Sequence, residues 1–207
     1  MYQPDRQCAA AMGKIVDALS DAQSIANHFL GPPRFVGKLE SGELYFDTAL
    51  ELDTDGWPDG HGKGDDSWQP QTSLRYRDNG SLDANKVPYF VLPLPKSWAG
   101  QFGITLGDYA AVISEGQVAF AVFGDQGPTN KLGEGSIQLL RALGHERIKS
   151  NGHVINAGID PGVVTIVFPG SGSPDDRASE ATLVAAIATK GQALFAALRG
   201  GAAALVA

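Results

Sequence analysis

The sequence predicts a mainly β protein of the α+β class, with a compact barrel-like β core and a flanking helix at each end. Short apolar runs separated by Gly/Pro turns fill residues 34–170. Helical spacing is confined to two stretches, about 5–30 and about 178–199. With 26 glycines and 12 prolines in 207 residues, the chain turns more often than a helical bundle does. One domain over residues 1–207 is the expected organisation. A Rossmann or P-loop nucleotide fold is not expected, because no G-x-G-x-x-G or G-x-x-x-x-G-K-[ST] links a strand to a helix.

Ala11, Ile15, Ala18, Leu19, Ile25, Ala26 and Phe29 recur at helical spacing until Gly31-Pro32-Pro33 stops them. Residues 34–39 and 43–52 read as a hairpin turning at Ser41-Gly42. In the second strand Leu44, Phe46, Thr48, Leu50 and Leu52 share one face, and Glu43, Tyr45, Asp47, Ala49, Glu51 and Asp53 the other. Residues 53–70, rich in Gly, Asp and Pro, form a surface loop that carries Trp57 and Trp68. A turn at Asp78-Asn79-Gly80 precedes a strand bracketed by Pro88 and Pro93, which suggests a sheet edge. Residues 108–114 and 117–123 form the clearest hairpin, turning at Glu115-Gly116. A helix over 136–143 ends at Gly144, a buried strand covers 163–168, and an Ala/Leu-rich helix closes the chain.

The formal net charge of −7 argues against nucleic acid as a partner and in favour of a cationic one. The apolar runs are shorter than the ~20 residues that span a bilayer, so no membrane segment is expected. Nor does the start of the chain show a basic region followed by a long apolar one, the pattern of an uncleaved secretory signal. Cys8 is the single cysteine, which excludes an intrachain disulfide and a multi-thiolate metal site.

The stretch AFAVFGDQGPTNKLGEGS, residues 119–136, brings an apolar strand to Asp125 and nine residues later presents Glu134 between two glycines. Glycines around both acids suggest room for a large molecule to approach. Two carboxylates flanking a short loop can hydrolyse a glycosidic bond: one protonates the leaving oxygen, the other activates water or attacks the sugar. They can equally be solvated loop charges, with Ser136 capping the next helix and Glu134 near its positive end.

The blocks VPYFVLP, GDYAAVISEGQVAFAVFGDQGP and KLGEGSIQLLRALG, together with ELDTDG, resemble those of the glycoside hydrolase family 75 chitosanases over about residues 43–168. The resemblance implies one catalytic domain, with Asp125 and Glu134 as the essential carboxylates of an inverting endo-hydrolysis of β-1,4 linkages in chitosan. Inversion needs the carboxyl groups ~6.5–9.5 Å apart, to admit water. Glu134 is the candidate proton donor and Asp125 the candidate base, an order that sequence leaves open. The family's enzymes are secreted, which makes export an expectation. Thr54 stands where the family commonly has a cysteine.

Chitosan carries ammonium groups, so Asp47, Glu51, Asp53 and Asp55 are candidate substrate ligands, and Trp57 a candidate stacking ring. Both have bland alternatives, a solvated charged face and a core-capping indole. No cofactor or metal is expected, and the protein should act as a monomer. Glu51-x-Asp53-x-Asp55-Gly56 resembles the start of a calcium loop, but position twelve is Gly62 and no helix precedes it. Cys8 with His145 or His153 could make a thiol hydrolase, although Cys8 has no nucleophile signature around it; His28 and His61 lack partners at metal-ligand spacing. The remaining alternatives are a hydrolase of chitin or peptidoglycan glycan and a non-catalytic polysaccharide-binding module.

Overall fold

The structure, a computed structural model, describes residues 35–39, 41–94, 99–129 and 131–204. The expected N-terminal helix lies outside the described residues. Seven strands form one sheet: β1 (Phe35–Lys38), β2 (Leu44–Asp53), β3 (Tyr89–Pro93), β4 (Tyr109–Ser114), β5 (Gln117–Gly127), β6 (Glu134–Ser136) and β7 (Ile159–Phe168). Among the described residues two α-helices accompany them, α1 (Ile137–Ala142) and α2 (Glu180–Ala204).

Six strands close into a barrel in the order β2-β6-β3-β5-β4-β7, with β7 returning to β2; β1 adds to the first half of β2. Pairing is antiparallel except for β2 with β6 and β3 with β5. The predicted hairpins both form. Glu115 and Gly116 take φ of 48° and 81°, the two positive values that a tight two-residue hairpin turn requires.

The edge expected for the proline-bracketed strand does not hold, since β3 lies between β5 and β6. Pro88 precedes the strand and Pro93 ends it, so neither removes a donor from the middle of the ladder. β5 runs past Phe123 to Gly127, which makes Asp125 a strand residue, and Glu134 likewise opens a short strand instead of sitting in a loop.

Alternation in β2 buries Leu44, Phe46, Thr48, Leu50 and Leu52 as expected, and Tyr45 joins them. Phe46, Tyr89, Phe90, Tyr109 and Phe123 are the largest fully buried side chains of the core, each ring contributing about 1.5–3 kcal/mol by leaving water. α1 starts at Ser136, whose hydroxyl accepts from the Leu139 amide at 3.1 Å.

α2 corrects the expectation about apolar length: Glu180–Leu198 is long and apolar enough, at mean hydropathy 1.5, to cross a bilayer. Here it lies on the barrel instead. Leu183, Ala186, Ile187 and Gly191 face inward, and a Cβ on Gly191 would sit 2.7 Å from the Phe120 side chain. Lys190 and Tyr109 both bond the buried Asp176 carboxylate, tying the helix to β4.

Candidate active site

β3 is the ruler of the site. Val91 registers with Asp125 on its parallel neighbour β5 and with Glu134 on its antiparallel neighbour β6. Register partners project from one face of a sheet, so both acids stand on the face bearing Val91. Phe90 and Phe123 stack at 5.6 Å on the opposite face. Two inter-strand spacings put the Asp125 and Glu134 Cα atoms about 10 Å apart.

Asp125 reaches that face through a bulge. Phe90 pairs with Phe123 but Val91 pairs with Asp125, so Gly124 is skipped. Alternate residues of a regular strand share a face, and Asp125 would otherwise follow Phe123 onto the aromatic side. A segment far off in sequence then secures it: the Leu74 amide bonds the Gly124 carbonyl at 2.9 Å. Beside that bond, the Ser73 amide and hydroxyl donate to Asp125 Oδ1 at 2.9 and 2.6 Å, and the Gln126 amide donates at 2.7 Å. Oδ2 is buried and, among the described residues, accepts no bond. Burial lifts the Asp125 pKa above its ordinary value, with the Ser73 and Gln126 bonds and the Arg75 charge opposing.

Glu134 is held through Oε1. Lys131 Nζ lies 2.6 Å from Oε1 and also 2.8 Å from Glu51 Oε2. Oε2 lies over Gly127, where a Cβ would come within 2.6 Å of it. Burial raises the Glu134 pKa, the bond and charge of Lys131 lower it, and Glu51 and Asp125 add to the rise, which prevails. β6 fits beside β2 because Gly133 takes φ +92°, its Cα 's open side facing the Ala49 carbonyl that a Cβ would strike at 2.1 Å. Space freed by these glycines is therefore taken by the protein itself, not kept for a visitor.

Two more acids complete the group. Asp53 ends β2, its Oδ1 accepting from the Asp55 amide at 2.8 Å, and Asp55 Oδ1 accepts from the Gln69 amide at 2.6 Å. Beneath them the buried Tyr89 hydroxyl donates to the Asp55 carbonyl. One oxygen each from Asp53, Asp55 and Asp125 lies within 4.8 Å of the others, an all-oxygen set of the kind that accepts a hard cation or an ammonium group. Burial holds Asp53 well above the usual carboxylate range, and the charges of Asp55, Asp125 and Glu134 push the same way. Asp55 is pushed up to about 7, by burial first and by Asp125, Asp65 and Glu134, against the Gln69 bond.

The structure thus gathers Asp125, Glu134, Asp53, Asp55 and, through Lys131, Glu51. Asp47 is not gathered: it pairs with Val164 at the other end of β2, six residues and about 20 Å of strand from Asp53. Trp57 is 6% exposed and belongs to the core, so its ring is not offered for stacking. Trp68 is half-buried, donates its indole N–H to the Trp57 carbonyl at 3.0 Å, and meets His61 edge-on. The loop is also fastened by Thr54, whose hydroxyl donates to the buried Asp65 at 2.7 Å. Calcium-loop geometry does not form, since a strand precedes Asp53 and the third acid is Asp125, not a residue near Gly62.

Sequence reasoning missed Ser73 and Lys131. Ser73 had no signal, being 52 residues from its partner. Lys131 was visible three residues before Glu134, but in a loop that spacing implies nothing by itself.

A search among curated proteins finds no match to the chain. The sequence model described as the fungal chitosanase of glycosyl hydrolase group 75 matches residues 50–197, from within β2 to within α2 and across every acid of the cluster. That match covers well over half of the protein, and the chain belongs to glycoside hydrolase family 75, the chitosanase family.

Proposed function

We propose that this glycoside hydrolase is a single-domain, endo-acting chitosanase that cleaves β-1,4 linkages with inversion, using Asp125 and Glu134. The observation that carries this reading is their placement on one face across Val91, two strand spacings apart. Carboxyl groups rising side by side from Cα atoms about 10 Å apart can span the ~6.5–9.5 Å of an inverting pair, which leaves room for a water, whereas a retaining pair stands at only ~5–5.5 Å.

Glu134 gives its proton to the glycosidic oxygen as the C1–O bond breaks. Water attacks C1 from the opposite face and passes its proton to Asp125. The three donors on Asp125 Oδ1 favour the carboxylate form, and bare Oδ2 can take the proton. Asp53 and Asp55 offer carboxyl oxygens that accept hydrogen bonds from the ammonium groups of glucosamine units, and Glu51 stands beside them on β2, which favours chitosan over acetylated polymers that lack those groups.

The test is hydrolysis of chitosans spanning a range of acetylation by the wild type, Asp125→Asn and Glu134→Gln, with the product anomer read by NMR before mutarotation. Each variant is expected to lose at least ~10²-fold in kcat, and the first-formed product to be the α-anomer. Undiminished activity in both variants defeats the carboxylate-pair reading, and a β-anomer defeats inversion.

A further inference from the structure

We propose that Lys131, braced by Glu51, is a positioning residue that sets the alkaline limit of hydrolysis by governing when Glu134 loses its proton. The inference rests on the reading of Glu134 as proton donor.

Glu51 and Glu134 are register partners on adjacent strands, so two carboxylates face one another across β2 and β6. Like charges placed directly opposite repel. Lys131 Nζ sits between them, 2.8 Å from one and 2.6 Å from the other, and is half-buried while Glu134 is nearly covered. Among the described residues it is the cation bonded to either acid. Lys131 anchors Oε1, and Oε2 occupies the space that the missing side chain of Gly127 leaves open.

Around Glu134, β2 presents Glu51 and Asp53, the turn beyond it Asp55, β5 Asp125, and β3 only the apolar Val91. Burial first, and then the charges of Glu51 and Asp125, favour the protonated form. Lys131 is the opposing charge. It remains an ammonium, because its bonds to Glu134 and Glu51 more than offset the burial that works against it. A donor surrounded by acids alone would hold its proton to higher pH and give it up less readily; Lys131 limits that.

The test is the pH dependence of kcat on a chitosan oligomer for wild type, Lys131→Met, Lys131→Arg and Glu51→Gln, with thermal midpoints measured in parallel. The substrate's amines titrate identically in all four, so differences report the protein. Lys131→Met is expected to move the alkaline limb up by roughly one pH unit and leave the acidic limb in place. Lys131→Arg should return the limb to its wild-type position. Glu51→Gln removes a negative neighbour and should move the same limb down, a direction that loss of structure does not produce, and it serves if the methionine variant fails to fold. An alkaline limb that stays put in both Lys131→Met and Glu51→Gln overturns the inference and leaves the carboxylate pair standing. Movement of the acidic limb instead overturns it through its premise, by showing that Glu134 is the base.

Discussion

Asp125 and Glu134 are register partners of the same residue, Val91, the first through a parallel ladder and the second through an antiparallel one. Neither acid is placed by a flexible loop. Their separation is set by strand spacing, which is among the least variable distances in proteins, and the Gly124 bulge decides that they share a face.

At the bulge Asp125 is met by Ser73. Its hydroxyl bond to Asp125 Oδ1 favours the ionised carboxylate. In Ser73→Ala that donor is lost while the amides of residues 73 and 126 remain, so the Asp125 pKa rises. A base with a raised pKa is ionised over less of the acidic range. The acidic limb of the kcat/KM profile should therefore move to higher pH, with activity on its slope down ~10-fold, in keeping with about 1.5 kcal/mol for a hydrogen bond to a charged group. An unmoved acidic limb would show that Asp125 is not the base.

Gly127 is not among the residues of positive φ, so its backbone accepts a methyl group, which would sit 2.6 Å from Glu134 Oε2 and 3.1 Å from Val91 Cγ1 and press hardest on the carboxyl. Gly127→Ala should displace the carboxyl group. We expect kcat to fall ~10–100-fold, as misplacement of a reacting group by about 1 Å does, while the melting temperature changes little. Full activity in the alanine variant would mean that the Oε2 position over Gly127 is unimportant to catalysis.

Asp55 makes a separate prediction about stability. Folded, it keeps its proton up to about pH 7; unfolded, an aspartate titrates near 3.9. Between these values the unfolded chain binds fewer protons at this site than the folded one. Stability from this group therefore falls as pH rises from about 4 to about 7, and the loss is complete above that. Asp55→Asn cannot ionise yet keeps an oxygen for the Gln69 amide. The variant should melt above wild type at pH 8, by about 2–4 °C for each kcal/mol recovered, and match it at pH 4. A melting difference of the same size at both pH values would refute the proposed titration.

Much of the barrel was legible in order along the chain, because each hairpin announces itself locally. Ser41-Gly42 and Glu115-Gly116 separate apolar runs of strand length, and alternation in residues 44–52 assigns their faces. The proline-bracketed strand misled, because prolines at the two ends of a strand leave its interior donors in place and do not require an edge. Trp57 misled for a similar reason: a Gly/Asp-rich loop reads as solvated, but Thr54–Asp65 and Trp57–Trp68 bonds fold it back on the core.

The sequence by itself determined the parts with short-range causes: the hairpins, the Ser136-capped helix, the acidic end of β2, and Asp125 and Glu134 as paired acids within nine residues. Only the tertiary structure decided their chemistry. Which face Asp125 occupies depends on a bulge, its charge on Ser73 from 52 residues away, and the proton affinity of Glu134 on Lys131 and on a carboxylate from β2. Burial and the Coulomb interaction depend on distance through space, and the distances that matter here are made by strands that are neighbours in the barrel and strangers in the chain.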